Sequence, residues 1–156
     1  MSGPDRLYAS AMVTVSREIA ATPAAVWAVV SDGWLYPSWV VGASRMRSVD
    51  PAWPTVGARM HHSVGAWPAL LDDTTSVVSS VPEEELVLQA RGWPFGEATV
   101  RLTIEARPSG CLVTIGEDVT SGPGRLIPGP LRTVFIAPRN TETLRRLAYL
   151  AEQGSR

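Results

Sequence analysis

A chain of 156 residues has the length of one domain, and a single core is its default arrangement. The formal net charge of −1 and the pI near 6.1 provide no long-range field to concentrate nucleic acid or an anionic membrane, so neither is an expected partner. One cysteine excludes an intramolecular disulfide, and with two histidines the chain offers too few ligands for zinc; we expect no metal and no cofactor.

The first predicted elements are a strand and two short helical segments. Residues 11–19 alternate between apolar and polar side chains, which is the period of a half-buried strand. Thr22 is placed to cap a helix and Pro23 to occupy its first position, with Gly33 as its end. Pro37 indicates one more helical turn within residues 36–40. The longest strongly apolar run, residues 24–30, is too short to span a bilayer.

From residue 43 to about 120, short β-rich runs alternate with turn signals. The predicted strands are residues 45–49, 58–67, 74–81, 86–91, 98–106 and 112–119. The breaks between them contain Pro, Gly and Asp, which favour turns. Hairpin spacing of this kind predicts an antiparallel meander. The adjacent acids Asp72 and Asp73 are predicted to occupy a solvated turn before a strand.

A glycine-rich loop at residues 121–125, which lacks the phosphate-binding P-loop pattern, leads into a predicted C-terminal helix. Two apolar faces with helical spacing follow: Leu131, Val134 and Phe135, and then Leu144, Leu147, Ala148 and Ala151. Pro138 lies between these faces and should kink the helix or divide it.

The order β-α-α-β6-α resembles the helix-grip fold of the START-related SRPBCC superfamily, and most of all its bacterial polyketide cyclase/dehydrase and lipid-transport branch. The resemblance covers about residues 11–152 and depends on residues 22–27 (T-P-A-A-V-W), 36–39 (Y-P-S-W), 57–68, 116–123 and 139–148. It implies a single α+β domain over residues 1–156, with a curved antiparallel sheet of about seven strands wrapped around a long C-terminal helix. It also implies an apolar cavity between sheet and helix.

Bulky side chains are candidates for lining that cavity, although each could equally be an ordinary core residue. They are Trp27, Trp39, Trp67, Trp93, Phe95 and Phe135.

The adjacent histidines His61 and His62 cannot both bind one metal from a regular strand, because successive side chains point to opposite faces. The inward face is predicted to carry Met60, His62 and Val64, and the solvated face Arg59, His61 and Ser63. An inward histidine is more often a hydrogen-bonded structural residue than a functional one, and both roles stay open for His62.

Glu117 shares the apolar face of the last strand with Val113 and Ile115. A buried carboxylate needs a partner, since an isolated buried charge is costly; alternatively, Glu117 ends the strand in water. Asn140 is predicted on the inward side of the helix and Arg139 on its solvated side.

These observations predict a cavity that binds a small hydrophobic molecule, such as a lipid, isoprenoid or aromatic polyketide, as a carrier or sensor. The alternatives are a cyclase/dehydratase-type enzyme using His62 and Glu117 in acid–base chemistry, and a partner-binding scaffold with a collapsed cavity. We expect a cytoplasmic monomer or homodimer without stable membrane insertion. The predicted ligand contacts are Trp27, Trp39, Met60, His62, Val64, Trp67, Trp93, Phe95, Glu117, Phe135 and Asn140.

Overall fold

The structure is a computed structural model that describes residues 12–66, 69–92 and 96–154. These residues form the strands β1 (Val13–Ile19), β2 (Ala43–Val49), β3 (Arg59–Ala66), β4 (Ala69–Val81), β5 (Glu85–Gly92), β6 (Gly96–Arg107) and β7 (Gly110–Ser121). They also form the helices α1 (Pro23–Val30), α2 (Tyr36–Trp39) and α3 (Gly129–Gln153), with 3-10 turns at Gly33–Leu35 and Pro123–Leu126.

The strands form one curved antiparallel sheet in the order β1-β7-β6-β5-β4-β3-β2. Strands β2 to β7 follow one another as a meander, and β1 adds to the free edge of β7. Helix α3 packs along the inner face of the sheet, with buried residues such as Leu144 and Leu147 facing the core. The predicted α+β helix-grip fold and its β-α-α-β6-α order are confirmed.

Helix α1 begins as the sequence predicts and ends earlier. The Thr22 hydroxyl accepts a hydrogen bond from the Ala25 amide at 3.2 Å, and Pro23 is the first helical residue. The helix ends at Val30, and Gly33 instead begins a 3-10 turn. Asp32 caps that turn by accepting a hydrogen bond from the Trp34 amide at 3.1 Å. Gly33 therefore starts a second turn and does not end the helix.

The predicted solvated turn at the paired acids is wrong for Asp73. Strand β4 begins at Ala69, and Asp73 lies inside it, opposite His62 of β3. Asp73 is buried, whereas its neighbour Asp72 points to the other face and is exposed. Alternation within a longer strand separates the two carboxylates.

Helix α3 is continuous through Pro138, so of the two predicted effects of this proline the division of the helix is wrong, and a kink stays a prediction. Ile136 and Asn140, four residues apart, are buried on the side facing the sheet. Phe135 is 70 % exposed, because one residue corresponds to about 100° of rotation around the helix. Within the described ranges, no helix has both the length and the apolarity needed to cross a bilayer.

Candidate functional site

A cavity of about 90 Å³ lies between helix α3, the segment around α2 and strands β5 to β7. Most of its wall is aliphatic. Its lining consists of Tyr36, Trp39, Val40, Val41, Leu86, Leu88, Ala90, Val100, Leu102, Ile115, Glu117, Arg139, Asn140 and Thr143.

The pairing of the strands brings the aliphatic wall together. Leu86 of β5 lies opposite Leu102 of β6, and Leu102 lies opposite Ile115 of β7. The next inward row joins Leu88 to Val100, and Val100 to Glu117. Because side chains alternate along each strand, these rows face the cavity as a block, with one carboxylate at the β7 end.

Glu117 is 7 % exposed and has two partners on helix α3. The Arg139 guanidinium donates to its Oε2 through Nη2, and the Asn140 amide donates to the same oxygen at 3.0 Å. The expectation that a carboxylate on this face needs a partner is confirmed, and the alternative of a strand end in water is wrong. Arg139 was predicted to lie on a solvated face, but its long side chain folds back from the helix edge to the cavity.

A second polar group lies behind the wall, around the fully buried Thr75 hydroxyl. His62 Nε2 lies 2.8 Å from the Thr75 Oγ1, and the Tyr36 phenol also forms a hydrogen bond with Thr75. The rings of Tyr36 and His62 are in contact, with centroids 5.4 Å apart. Thr75 thus links a residue of α2 to a residue of β3.

The interior shifts the pKa values of both rings. Burial raises the pKa of Tyr36 to about 12, so the phenol keeps its proton at neutral pH. Burial, with a smaller contribution from the Arg47 guanidinium, lowers the pKa of His62 to about 4. At neutral pH, His62 is therefore an uncharged imidazole.

His62 faces inward as the alternation predicts, but it does not form the cavity wall. It is 4 % exposed and lies against Tyr36, and Tyr36 takes the place in the wall that was expected for His62. His61 is half-buried on the opposite face, where its Nδ1 lies 3.1 Å from the Thr74 hydroxyl. The expectation that His62 and Glu117 line the same cavity is thus wrong, because only Glu117 is among its lining residues.

The other predicted contacts divide into four groups. Trp39 and Asn140 line the cavity, whereas Met60 is fully buried in the core and Trp27 packs at the core's edge. Phe135 was predicted to line the cavity and does not, because it projects outward from helix α3. Trp67, Trp93 and Phe95 lie outside the described residues, as does the side chain of Val64.

Sequence reasoning missed four polar residues of this region: Tyr36, Thr75, Arg139 and Thr143. Thr143 lines the cavity one helical turn beyond Asn140, and its hydroxyl accepts a hydrogen bond from the Val41 amide at 3.1 Å. Its spacing from Asn140 could have placed it on the inward face. Thr75 alternates with the buried Val77, which is a comparable signal. Among the described residues, no group of three or more His, Cys, Asp or Glu side chains is arranged to hold a metal.

Comparison with known proteins agrees with this architecture. The family model described as polyketide cyclase / dehydrase and lipid transport matches residues 10–152. The chain belongs to this family. The resemblance that the sequence predicts, to the SRPBCC superfamily and its polyketide cyclase/dehydrase branch, is confirmed. None of the curated proteins matches the chain.

Three solved structures illustrate the shared fold of this family member. Protein NE0264 from Nitrosomonas europaea is 17 % identical with a TM-score of 0.72, over 94 % of this chain and 97 % of that one. The di-domain ARO/CYC StfQ from the steffimycin biosynthetic pathway is 10 % identical with a TM-score of 0.72, over 96 % and 53 %. DynU16, a putative protein in the dynemicin biosynthetic locus, is 22 % identical with a TM-score of 0.67, over 93 % and 48 %.

Proposed function

We propose that this family member binds a small, largely apolar molecule with at least one polar group, such as a lipid, isoprenoid or aromatic polyketide, as a carrier or sensor. The observation that carries the proposal is the division of the cavity wall. Aliphatic side chains of β5 to β7 cover most of the wall, and Glu117 at the β7 end forms a polar corner with Arg139 and Asn140 of α3. This combination suits an apolar body with one oriented hydroxyl or carbonyl.

The size of the cavity limits how such a ligand fits. A volume of about 90 Å³ is smaller than the roughly 150 Å³ of an engineered cavity that binds benzene. A ligand of lipid size must therefore displace part of the wall. Arg139 is the lining residue best placed to move, because its side chain is long and 41 % exposed.

Apolar burial alone gives weak binding. About ten methylenes contribute roughly 8 kcal/mol, against an association cost of about 4 kcal/mol or more. The difference of about 4 kcal/mol corresponds to a Kd near 1 mM, so micromolar affinity needs contacts with the polar corner.

Titration with a polarity-sensitive apolar dye tests the proposal. We expect saturable binding that fatty acids or aromatic compounds displace. Leu88→Trp fills the cavity and should abolish dye binding, whereas Val78→Trp, at an exposed position of the same sheet, should not. Absence of saturable binding to the folded wild-type protein would remove the carrier or sensor function.

A second candidate is a cyclase/dehydratase-type activity on a polyketide-like substrate. Glu117 is a carboxylate in a largely aliphatic cavity, where it accepts hydrogen bonds from Arg139 and Asn140. The carboxylate would take a proton from the carbon next to a carbonyl and return it to the departing hydroxyl, which leaves as water. Loss of water from a β-hydroxy ketone should then disappear in Glu117→Gln. Unchanged loss in this variant would exclude this chemistry.

We also propose a single domain over residues 1–156 and a cytoplasmic location, as a monomer or homodimer. The family match over residues 10–152 supports the domain assignment. Limited proteolysis that releases two stable fragments would contradict it, and light scattering would give the oligomeric state.

A further inference from the structure

Four large apolar side chains are exposed around the start of helix α3. Leu126 is 86 % exposed, and Leu131, Val134 and Phe135 are 50 %, 63 % and 70 % exposed. The last three are spaced i, i+3 and i+4, so they share the side of the helix opposite the core-facing Ile136 and Asn140. We call these four residues the apolar face. Exposed apolar clusters of this kind mark interaction surfaces.

The sequence segment that carries the apolar face is basic. Residues 119–141 contain three arginines and no acidic residue. Arg132 pairs with Asp118, and their side chains are 22 % and 16 % exposed. Arg139 pairs with Glu117, and their side chains are 41 % and 9 % exposed. In both pairs the acid is the more buried partner. Arg125 is exposed beside Leu126. Among the described residues around the apolar face, Arg125 is therefore the arginine whose guanidinium is not paired with an acid, and the whole chain has a net charge of −1.

An exposed apolar helix face bordered by basic side chains is typical of helices that lie in the surface plane of a bilayer. The long stem of Arg125, in the turn before the helix, lets its charged group reach anionic headgroups while the apolar side chains enter the acyl boundary. The apolar face lies on the exposed side of one helix and its preceding turn.

We infer that the apolar face, together with Arg125, docks the protein on the surface of an anionic lipid bilayer. The cavity lies next to this surface, because Arg139 and Asn140 follow Phe135 by one helical turn and line the cavity. Docking would bring the cavity to the bilayer for ligand exchange, and this role rests on the proposed binding function. The docking itself depends only on the outer face.

Co-sedimentation of the full chain with vesicles tests the inference. One set contains phosphatidylcholine with about a quarter phosphatidylglycerol, and the other contains phosphatidylcholine alone. We expect partition onto the anionic vesicles that high salt weakens. The double variant Leu131→Ser, Phe135→Ser should lower the partition coefficient at least about tenfold. Arg125→Gln should lower it on anionic vesicles and leave it unchanged on neutral ones.

Val78→Ser is the matched control, because Val78 is an apolar side chain, 53 % exposed, on strand β4 away from the apolar face. It should bind vesicles as the wild type does. Circular dichroism and urea midpoints verify that each variant is folded, and Arg125→Gln, at an exposed position, tests the inference even where the double variant unfolds. Wild-type protein that stays unbound on anionic vesicles, or an equal loss in Val78→Ser, overturns the inference.

Light scattering identifies the competing occupant. A dimer that the double variant dissociates, without any vesicle binding, would assign the apolar face to a second copy of the chain and overturn the inference. Dye binding to the cavity is measured without vesicles. If the wild-type protein binds vesicles but not the dye, the binding function is refuted and docking stands. If it binds the dye but not vesicles, docking alone is refuted.

Discussion

The environment of His62 shows how one buried residue ties stability to pH. Its imidazole is 4 % exposed and makes a hydrogen bond to Thr75, while Arg47 disfavours a positive charge there. The pKa of His62 is consequently about 4 in the folded protein, compared with about 6.5 for an unperturbed histidine. Protonation of this ring therefore opposes folding.

We predict that His62 makes the protein lose stability as the pH falls from about 6.5 to about 4. In this window the unfolded state binds a proton at this residue and the folded state does not, so the free energy of unfolding rises with pH. Above about pH 6.5, His62 is uncharged in both states and does not change the free energy of unfolding with pH. The total effect is of order 3 kcal/mol. Urea unfolding measured across this range gives the slope.

Carboxylates also titrate in this range, so the comparison of variants decides the assignment. His62→Gln should flatten the pH dependence, whereas His61→Gln, on the opposite face, should retain the wild-type slope. A wild-type slope in His62→Gln would show that another group causes the acid sensitivity.

The polar corner of the cavity leads to a second prediction at this scale. Glu117→Ala removes the acceptor of both Arg139 and Asn140 and should weaken ligand binding by about 1 to 3 kcal/mol. His61→Ala should change it by only a few tenths of a kcal/mol, since His61 faces away from the cavity. Dye displacement supplies both affinities. A larger effect of His61→Ala would contradict the site.

Alternation along strands predicted the inward positions of His62 and Glu117 correctly, because period-two geometry is local. It could not predict that Tyr36 would take the place of His62 in the wall, since that depends on how α2 packs on β3. Arg139 shows a similar limit. Its backbone lies at the helix edge, and only the length of its side chain brings it to Glu117.

The burial of apolar side chains differs between the two ends of helix α3. Its last turns bury Leu144, Leu147 and Ala151 against the sheet, whereas its first turns expose Leu131 and Phe135. Pro138 lies between the two parts and has no amide to donate to the Val134 carbonyl. The helix stays continuous because packing on both sides of Pro138 holds it, which helical periodicity alone does not reveal.

We predict that local opening concentrates in the first part of α3. Amide hydrogens of residues 129–137 should exchange faster than those of residues 143–151, and a cavity ligand should slow them, because Arg139 and Asn140 contact the cavity. Hydrogen exchange followed by mass spectrometry measures both. Uniformly slow exchange along the helix, unaffected by ligand, would contradict gating by this element.

Pro138→Ala restores the missing donor and should raise the free energy of unfolding by about 1 kcal/mol or more while slowing exchange around it. Tyr149→Ala, at an exposed position of the same helix and about three turns from Pro138, is the control and should leave exchange near residue 138 unchanged.

For the whole molecule, the order and type of elements were predictable, since hairpin spacing and the long C-terminal period leave few ways to close one core. The ends of the strands were less predictable. Strand β4 begins at Ala69, five residues before the predicted start, because pairing with β3 extends it. The volume left between sheet and helix depends on the packing of all elements together and could not be predicted from the pattern.

Cavity size should trade stability against ligand capacity. Leu88→Ala removes a buried side chain from the cavity wall, so it should destabilise the protein by about 2 to 5 kcal/mol and let bulkier apolar ligands bind more tightly. Leu147→Ala removes an equally large buried side chain away from the wall. It should cost similar stability without any gain in binding. Urea unfolding and dye displacement by ligands of increasing size measure the two effects. Equal ligand profiles in both variants would mean that the cavity between β5–β7 and α3 is not where the ligand binds.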